Sequence, residues 1–143
     1  MVTFENSTLA ERQMYYYNGS RCIYCNRETD LVDSITVHQE NHGLIYYCKE
    51  CQAWCGTIHG DQSIGCVAKK GLREARKECH HLINKIIEKK VAVSKKPLTE
   101  RAARTRFYKW LSATLDIDRT ECHVAYFAEE RCKLVIDELK KYV

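Results

Sequence analysis

Two cysteine pairs carry the first chemistry legible in this chain: Cys22 and Cys25 in "RCIYCNRE", and Cys48 and Cys51 in "YCKECQAW". A thiolate is a nucleophile, a redox centre or a soft metal ligand, and spacing separates these roles. Two residues between cysteines let one tight turn aim both sulfurs at a single ion. Two such turns complete a tetrahedron with metal–sulfur distances of about 2.3 Å. The 22 residues between Cys25 and Cys48 make the middle slightly longer than in most four-cysteine zinc ribbons. A redox dithiol would account for either pair alone, but it needs a βαβ setting and gives no reason for a second copy. Iron or an iron–sulfur cluster would use the same thiolates, while the ribbon spacing favours zinc as the cofactor. Four thiolates leave no open position for water, so a structural ion is expected at Cys22, Cys25, Cys48 and Cys51.

The nine cysteines are an odd number, which fits a closed disulfide set poorly. The opening "MVTFENSTLAERQ" lacks a basic stretch followed by an apolar run, and no segment approaches the roughly 18 apolar residues of a membrane span. A cytoplasmic location, bacterial or in a phage-infected host, is the expectation, with no membrane partner. Thiols held at regular spacing in a reducing compartment more often bind metal than each other.

The segment between the knuckles fits the same reading. "LVDSITVHQ" (31–39) alternates as a strand, "GLIYYC" (43–48) is β-prone, and "ENHG" supplies turn residues, so a hairpin is predicted to return the second knuckle to the first. "QAWCGTI" (52–58) predicts a third strand, with Cys55 a buried thiol rather than a substitute ligand.

From Val67 the hydrophobic period changes to steps of three and four. Leu72, Ala75, Cys79, Leu82, Ile83, Ile86 and Ile87 predict an amphipathic helix over about 67–91, ended by the single proline, Pro97. A second helix from about Thr99 is predicted to bury Ala103, Phe107, Trp110, Leu111 and Leu115. A turn and irregular piece follow at 116–127, and a last helix at about 128–142 buries Cys132, Val135, Ile136 and Leu139. Cys79 and Cys132 fall on apolar stripes and read as small core residues. The fold class expected is α+β: a small N-terminal zinc ribbon, a β-hairpin or three-stranded sheet, packed with a C-terminal three-helix region. Its divisions are an N-terminal extension (1–20), the ribbon (21–66) and the helical region (67–143), joined in one compact unit.

Charge divides along the same lines. Residues 1–66 hold four Lys/Arg against eight Asp/Glu, a net −4; residues 67–115 hold 14 against four, a net +10; residues 116–143 hold five against seven, a net −2. Clustered positive charge attracts polyanions, whereas a merely solubilising face mixes signs. Lys69, Lys70, Arg73, Arg76 and Lys77 on the first helix, with Arg104 and Arg106 on the second, are the expected nucleic-acid contacts. Tyr15, Tyr16 and Tyr17 beside Arg21 could stack bases, but packing of the N-terminal segment against the ribbon is the preferred reading. His59, His80 and His123 stand near several cysteines in sequence and form a candidate second metal or histidine-based centre without a spacing signature. No HExxH, carboxylate cluster or nucleophile arrangement accompanies them, so an enzyme is the less favoured class.

The order of motifs, two CxxC knuckles, "CQAWCG" with a following histidine, "LREARKECH", "FYKWL" and "CHVAYFAEERC", resembles a bacterial and phage family known as the zinc-finger-containing domain family. The likeness spans about residues 20–136. It implies metal ligation by Cys22, Cys25, Cys48 and Cys51, and draws attention to His59, His80, His123 and Cys132. Asn84 stands where the family pattern has an aspartate, and the segment between His59 and Gly65 is shorter than in that pattern.

These readings combine into a phage-encoded zinc-ribbon protein that binds DNA or RNA with weak sequence preference. The alternative is a small adaptor or inhibitor that offers the basic face to an acidic surface of a host protein. An enzyme with a histidine-based or second-metal centre is the third.

Overall fold

The computed structural model describes residues 2–143. They form two compact units that divide between Gly71 and Leu72.

The first unit begins with a one-turn helix α1 (Leu9–Glu11) that runs into a π-helical turn (Arg12–Tyr16). Thr8 caps α1 in a capping box with Glu11: its hydroxyl accepts from the Glu11 N–H, and the Glu11 carboxylate accepts from the Thr8 N–H. Tyr16 and Tyr17 are buried, and the Phe4 ring stands edge-on to both, 5.3 and 6.4 Å away. The preferred packing role of the tyrosine run therefore holds for these two. Only Tyr15 stays partly open, with the Arg21 guanidinium 4.2 Å over its ring.

Four antiparallel strands follow in the order β1 (Asp30–Asp33), β2 (Leu44–Cys48), β3 (Ala53–Ile58) and β4 (Gln62–Ser63). Asp30 pairs with Tyr47 and Asp33 with Leu44, then Cys48 with Ala53 and Ile45 with Gly56. The predicted hairpin and third strand are present, and the fourth strand extends the sheet beyond expectation. The predicted strand at 31–39 is cut short after Asp33. The Asp33 carboxylate accepts from the Ile35 N–H at 2.9 Å and starts a 3-10 turn over Ser34–Thr36, while the buried Ser34 hydroxyl accepts from the His42 N–H at 2.6 Å. Such side-chain bonds give the backbone an alternative to the ladder. Ile35, expected on a strand face, is left 62% exposed.

The second unit is helical. α2 (Lys70–Val93), which starts in the last residues of the first unit, α3 (Glu100–Thr114) and α4 (Glu129–Leu139) match the three predicted helices closely. α2 ends at Val93, four residues before Pro97, and Thr99 caps α3 by accepting from the Ala102 N–H at 3.1 Å. Two short 3-10 turns, Arg119–Glu121 and Val124–Tyr126, occupy the irregular piece. Leu72, Cys79, Leu82, Ile83, Ile86 and Ile87 of α2 are buried, as are Ala103, Phe107 and Leu111 of α3 and Cys132, Val135, Ile136 and Leu139 of α4. Three residues depart from the predicted core: Ala75 and Leu115 are half-buried, and Trp110 lies open at 36%. Cys79 and Cys132 sit in the core as expected, the Cys79 thiol reaching the Cys132 carbonyl at 3.7 Å. Among the described residues no helix is long and apolar enough to cross a membrane.

Candidate metal centre

Each knuckle is a turn closed by a residue in left-handed conformation. After Cys25 comes Asn26 at φ +64°, and after Cys51 comes Gln52 at φ +53°. Asparagine tolerates this region better than most residues, having a short polar side chain that bonds locally. Here it is held from three sides. The Asn26 N–H donates to the Cys22 carbonyl at 2.9 Å, its amide oxygen accepts from the buried Tyr16 hydroxyl at 2.5 Å, and its amide nitrogen donates to the Val2 carbonyl at 2.6 Å. The Cys22 N–H donates to the Arg27 carbonyl at 2.9 Å and closes the turn. The second knuckle is placed by the sheet: Cys48 ends β2, Ala53 opens β3, and the two are register partners.

The result is a cluster in which the sulfurs of Cys22, Cys25, Cys48 and Cys51 all lie within 4.8 Å of one another. The Cys25 and Cys48 sulfurs are 3.6 Å apart and none of the nine cysteines is in a disulfide. A tetrahedron with metal–sulfur bonds of about 2.3 Å has sulfur–sulfur edges of about 3.8 Å, against about 2.05 Å for a covalent bridge. The four thiols therefore fit a tetrahedral ion and not a pair of disulfides.

Electrostatics gives the same answer. Burial pushes the Cys22 thiol up, partly offset by N–H groups of Cys25 and Tyr24, and the Tyr24 N–H lies 3.4 Å from the Cys22 sulfur. Burial likewise raises Cys48, opposed by the Cys51 N–H. At Cys25 burial also acts upward, but hydrogen bonds from the Arg27 N–H and the neighbouring thiols outweigh it and the thiol is lowered. Crowded thiols with few donors cannot all ionise by themselves, and a cation bound among them would supply the missing positive charge. Cys22 and Cys48 are also core residues, packed with Ala53, Cys55 and Val67 and flanked by Tyr46.

The other cysteines have other partners. Cys55 is a buried thiol of β3, 3.2 Å from the Ser63 hydroxyl and donating to the Gly65 carbonyl at 3.3 Å. Among the described residues the four knuckle cysteines form the single group of three or more metal-ligating side chains close enough to share an ion, so His59, His80 and His123 build no second one. His59 is exposed in the β3–β4 turn at φ +52°. His80 is exposed on α2, its pKa lowered by partial desolvation and then by the charges of Arg104 and Arg76; His123 is lowered by partial desolvation and by Arg119. The His123 ring lies 6.1 Å from Tyr108 and 5.4 Å from Tyr126.

The basic residues separate into two kinds. Lys69, Lys70, Lys77 and Arg106 are exposed, with the Lys69 ammonium 4.6 Å over the Tyr24 ring. Arg73 is half-buried, and Arg76 and Arg104 carry structural bonds. Arg76 donates through Nε and Nη2 to the Phe127 carbonyl at 3.3 and 3.0 Å, tying α2 to the segment before α4. Arg104 donates to Asn84 at 2.9 Å and pairs with Glu100 at 3.2 Å, linking α3 to α2. The spacing of the knuckles predicted the ligands but not the Tyr16 and Asn26 buttress. Asparagine directly after a CxxC was the available signal.

Residues 18–142 match a family described as a zinc-finger-containing domain. Neither the curated proteins nor the solved structures contain a match to the chain.

Proposed function

Because this chain belongs to the zinc-finger-containing domain family, we propose that Cys22, Cys25, Cys48 and Cys51 hold a structural zinc ion and that the protein binds nucleic acid through the basic side of α2. Zinc would supply a closed tetrahedral staple, with the chain's own residues making all contacts to the partner. The observation that carries the nucleic-acid reading is the run of Lys69, Lys70, Arg73 and Lys77, which lies at helical spacing in the most basic third of the sequence. Side chains of this kind bind phosphates, which supplies affinity and salt dependence but no base readout.

The test is fluorescence anisotropy of zinc-loaded protein with labelled duplex DNA, single-stranded DNA and RNA at two salt concentrations. Lys70, Arg73 and Lys77 are replaced together by alanine. Arg76 is spared because its guanidinium holds the Phe127 carbonyl. Each lost phosphate contact flattens the log–log salt slope for duplex by about 0.9, so three flatten it by about 2.7. Unchanged affinity and slope remove this side of the helix from the function.

A protein partner is the second reading. Leu31, Leu44, Ile58 and Ile64 of the sheet unit are exposed, and the register sets Leu31 and Leu44 diagonally on one sheet face. Retention of one stoichiometric protein from nuclease-treated lysate, lost on Leu31→Ser with Leu44→Ser, would favour it.

A further inference from the structure

The helical unit contains a cleft of about 560 Å³, a volume within the range of small-molecule sites, formed by the C-terminal half of α2, the middle of α3 and the turn that contains Tyr142. It has two kinds of wall. One is aromatic: the Trp110 ring neighbours Phe107, 5.8 Å away by ring centroids and tilted, and Tyr142, 5.2 Å away and edge-on. Phe107 is buried, while Trp110 and Tyr142 remain 36% and 49% exposed. The other wall is cationic, with Lys89, Lys90 and Arg106 all exposed and none of them in an ion pair among the described residues. No acidic side chain is among the residues that line the cleft.

Each feature is costly or idle without a ligand. The sequence pattern places Trp110 on the buried side of α3, yet the fold leaves its ring open beside two lysines and an arginine. A flat, polarisable, part-exposed ring that its aromatic neighbours keep in place is a stacking platform. Three uncompensated cations at its rim attract an anion at a fixed distance from whatever stacks there. A wholly apolar ligand would leave the cations unused, and a simple inorganic anion would leave the ring uncovered. Both are satisfied by an aromatic ring that carries a phosphate.

We propose that this cleft binds an unpaired nucleotide, with the base stacked on Trp110 and the phosphate held by Lys89, Lys90 and Arg106. The inference rests on the nucleic-acid reading and narrows it: a base inside a duplex cannot present its face to Trp110, so the cleft selects single strand over duplex. The α2 basic side would bind either through phosphates alone. The nucleotide arrives as part of a strand or free in solution, and the chemistry recognised is the same.

The chain has two tryptophans, so Trp54→Phe leaves Trp110 as the sole indole reporter. The full-length, zinc-loaded W54F protein is titrated with a short oligothymidylate, with thymidine monophosphate and with a duplex, following tryptophan emission and, separately, anisotropy of labelled strands. Stacking on Trp110 predicts quenching by oligothymidylate, and its loss predicts at least about tenfold weaker single-strand binding in Trp110→Ala, with duplex binding unchanged. Quenching by thymidine monophosphate at similar concentration would identify a free nucleotide as the source; quenching by oligothymidylate alone would identify a strand. Should Trp110→Ala fail to fold, Lys89→Ala with Lys90→Ala, both on the surface, must weaken quenching in its place. Oligothymidylate that binds by anisotropy yet leaves Trp110 emission unchanged overturns the inference and leaves the α2 reading standing. Quenching that survives the Lys70, Arg73 and Lys77 replacement while duplex binding is untouched by it supports the cleft and removes the α2 side. A concentration-dependent dimer that shields Trp110 in the absence of nucleotide also overturns the inference, by giving the cleft to a second copy.

Discussion

Removal of the metal is the perturbation whose consequence the structure specifies most closely. The apolar cluster of the sheet unit consists of Cys22, Cys48, Ala53, Cys55 and Val67, with Cys25, Tyr46 and Cys51 packed against it. Half of these eight residues are the knuckle ligands, so the core and the metal site are largely the same atoms. Of the others, Val67 is the largest fully buried aliphatic side chain, and its burial contributes about 1.5–3 kcal/mol. A structural zinc ion contributes an apparent 10–16 kcal/mol in small metal modules, which is as large as the whole stability of an ordinary domain. Chelation, or Cys48→Ala, is therefore expected to unfold the sheet unit outright. The control is Cys55→Ala, which deletes a thiol of the same cluster that is bonded to Ser63 and Gly65 instead of the metal. It should keep full zinc stoichiometry and cost about 1–2 kcal/mol. Amide exchange reads both units at once: β2 and β3 lose protection on chelation, whereas α2, α3 and α4 keep theirs, because no knuckle cysteine belongs to the core of Leu72, Ile83, Leu111 and Leu139. Chelated protein that retains protection in β2 and β3, or Cys48→Ala that melts like Cys55→Ala, would refute the assignment of the fold's stability to the metal.

Gly19 and His80 give two further tests. Gly19 has φ +77°, and a Cβ placed on it would lie 2.8 Å from the Ser63 hydroxyl and 2.9 Å from the Tyr46 ring. Gly19→Ala combines a left-handed penalty of about 1 kcal/mol with about 1–3 kcal/mol of overpacking, and a urea midpoint unchanged from the parent protein would contradict the close approach. For His80 the sign follows from a folded pKa held below the usual value of about 6.5 by partial desolvation, Arg104 and Arg76. The unfolded chain then takes up the proton first, so the contribution is intact above about pH 6.5 and is lost as pH falls toward the folded pKa. His80→Gln should flatten the stability–pH curve below about pH 6.5 relative to the parent, both zinc-loaded; acid protonation of the thiolates is common to the two, and superimposable curves would exclude the effect.

What the sequence discloses here depends on how local the cause is. The knuckles were legible because a CxxC turn is set by four or five consecutive residues, and the helices because the buried residues of α2, α3 and α4 repeat at steps of three and four. β1 was not legible beyond Asp33. Its alternation continues in the sequence to Val37, but Asp33 and Ser34 divert the backbone with their own side chains, a competition that hydrophobic periodicity does not register. Trp110 was misplaced for the opposite reason. Periodicity puts it on the apolar stripe, and only the arrangement of α2, α3 and Tyr142 decides that this end of the stripe opens into a cleft instead of closing on core.

The start of α2 is anchored to the strand and the knuckle that carry the cysteine cluster. Trp54 in β3 exchanges two backbone hydrogen bonds with Ala68, at 3.1 and 3.0 Å, and Val67 and Ala68 are fully buried. The Lys69 N–H donates to the Tyr24 hydroxyl at 3.1 Å, and Tyr24 lies inside the first knuckle. Lys69 is thus placed by the strand and the knuckle that meet at the cysteine cluster, one residue ahead of α2. Arg73 and Lys77 lie about one and two turns into α2, where the helix's own ladder sets their spacing. The basic run therefore divides into Lys69, positioned by the strand and knuckle, and Arg73 and Lys77, positioned by the helix. Release of the thiols is therefore expected to disturb Lys69 and to leave the spacing of Arg73 and Lys77 intact, a distinction that the charge of the middle third does not carry.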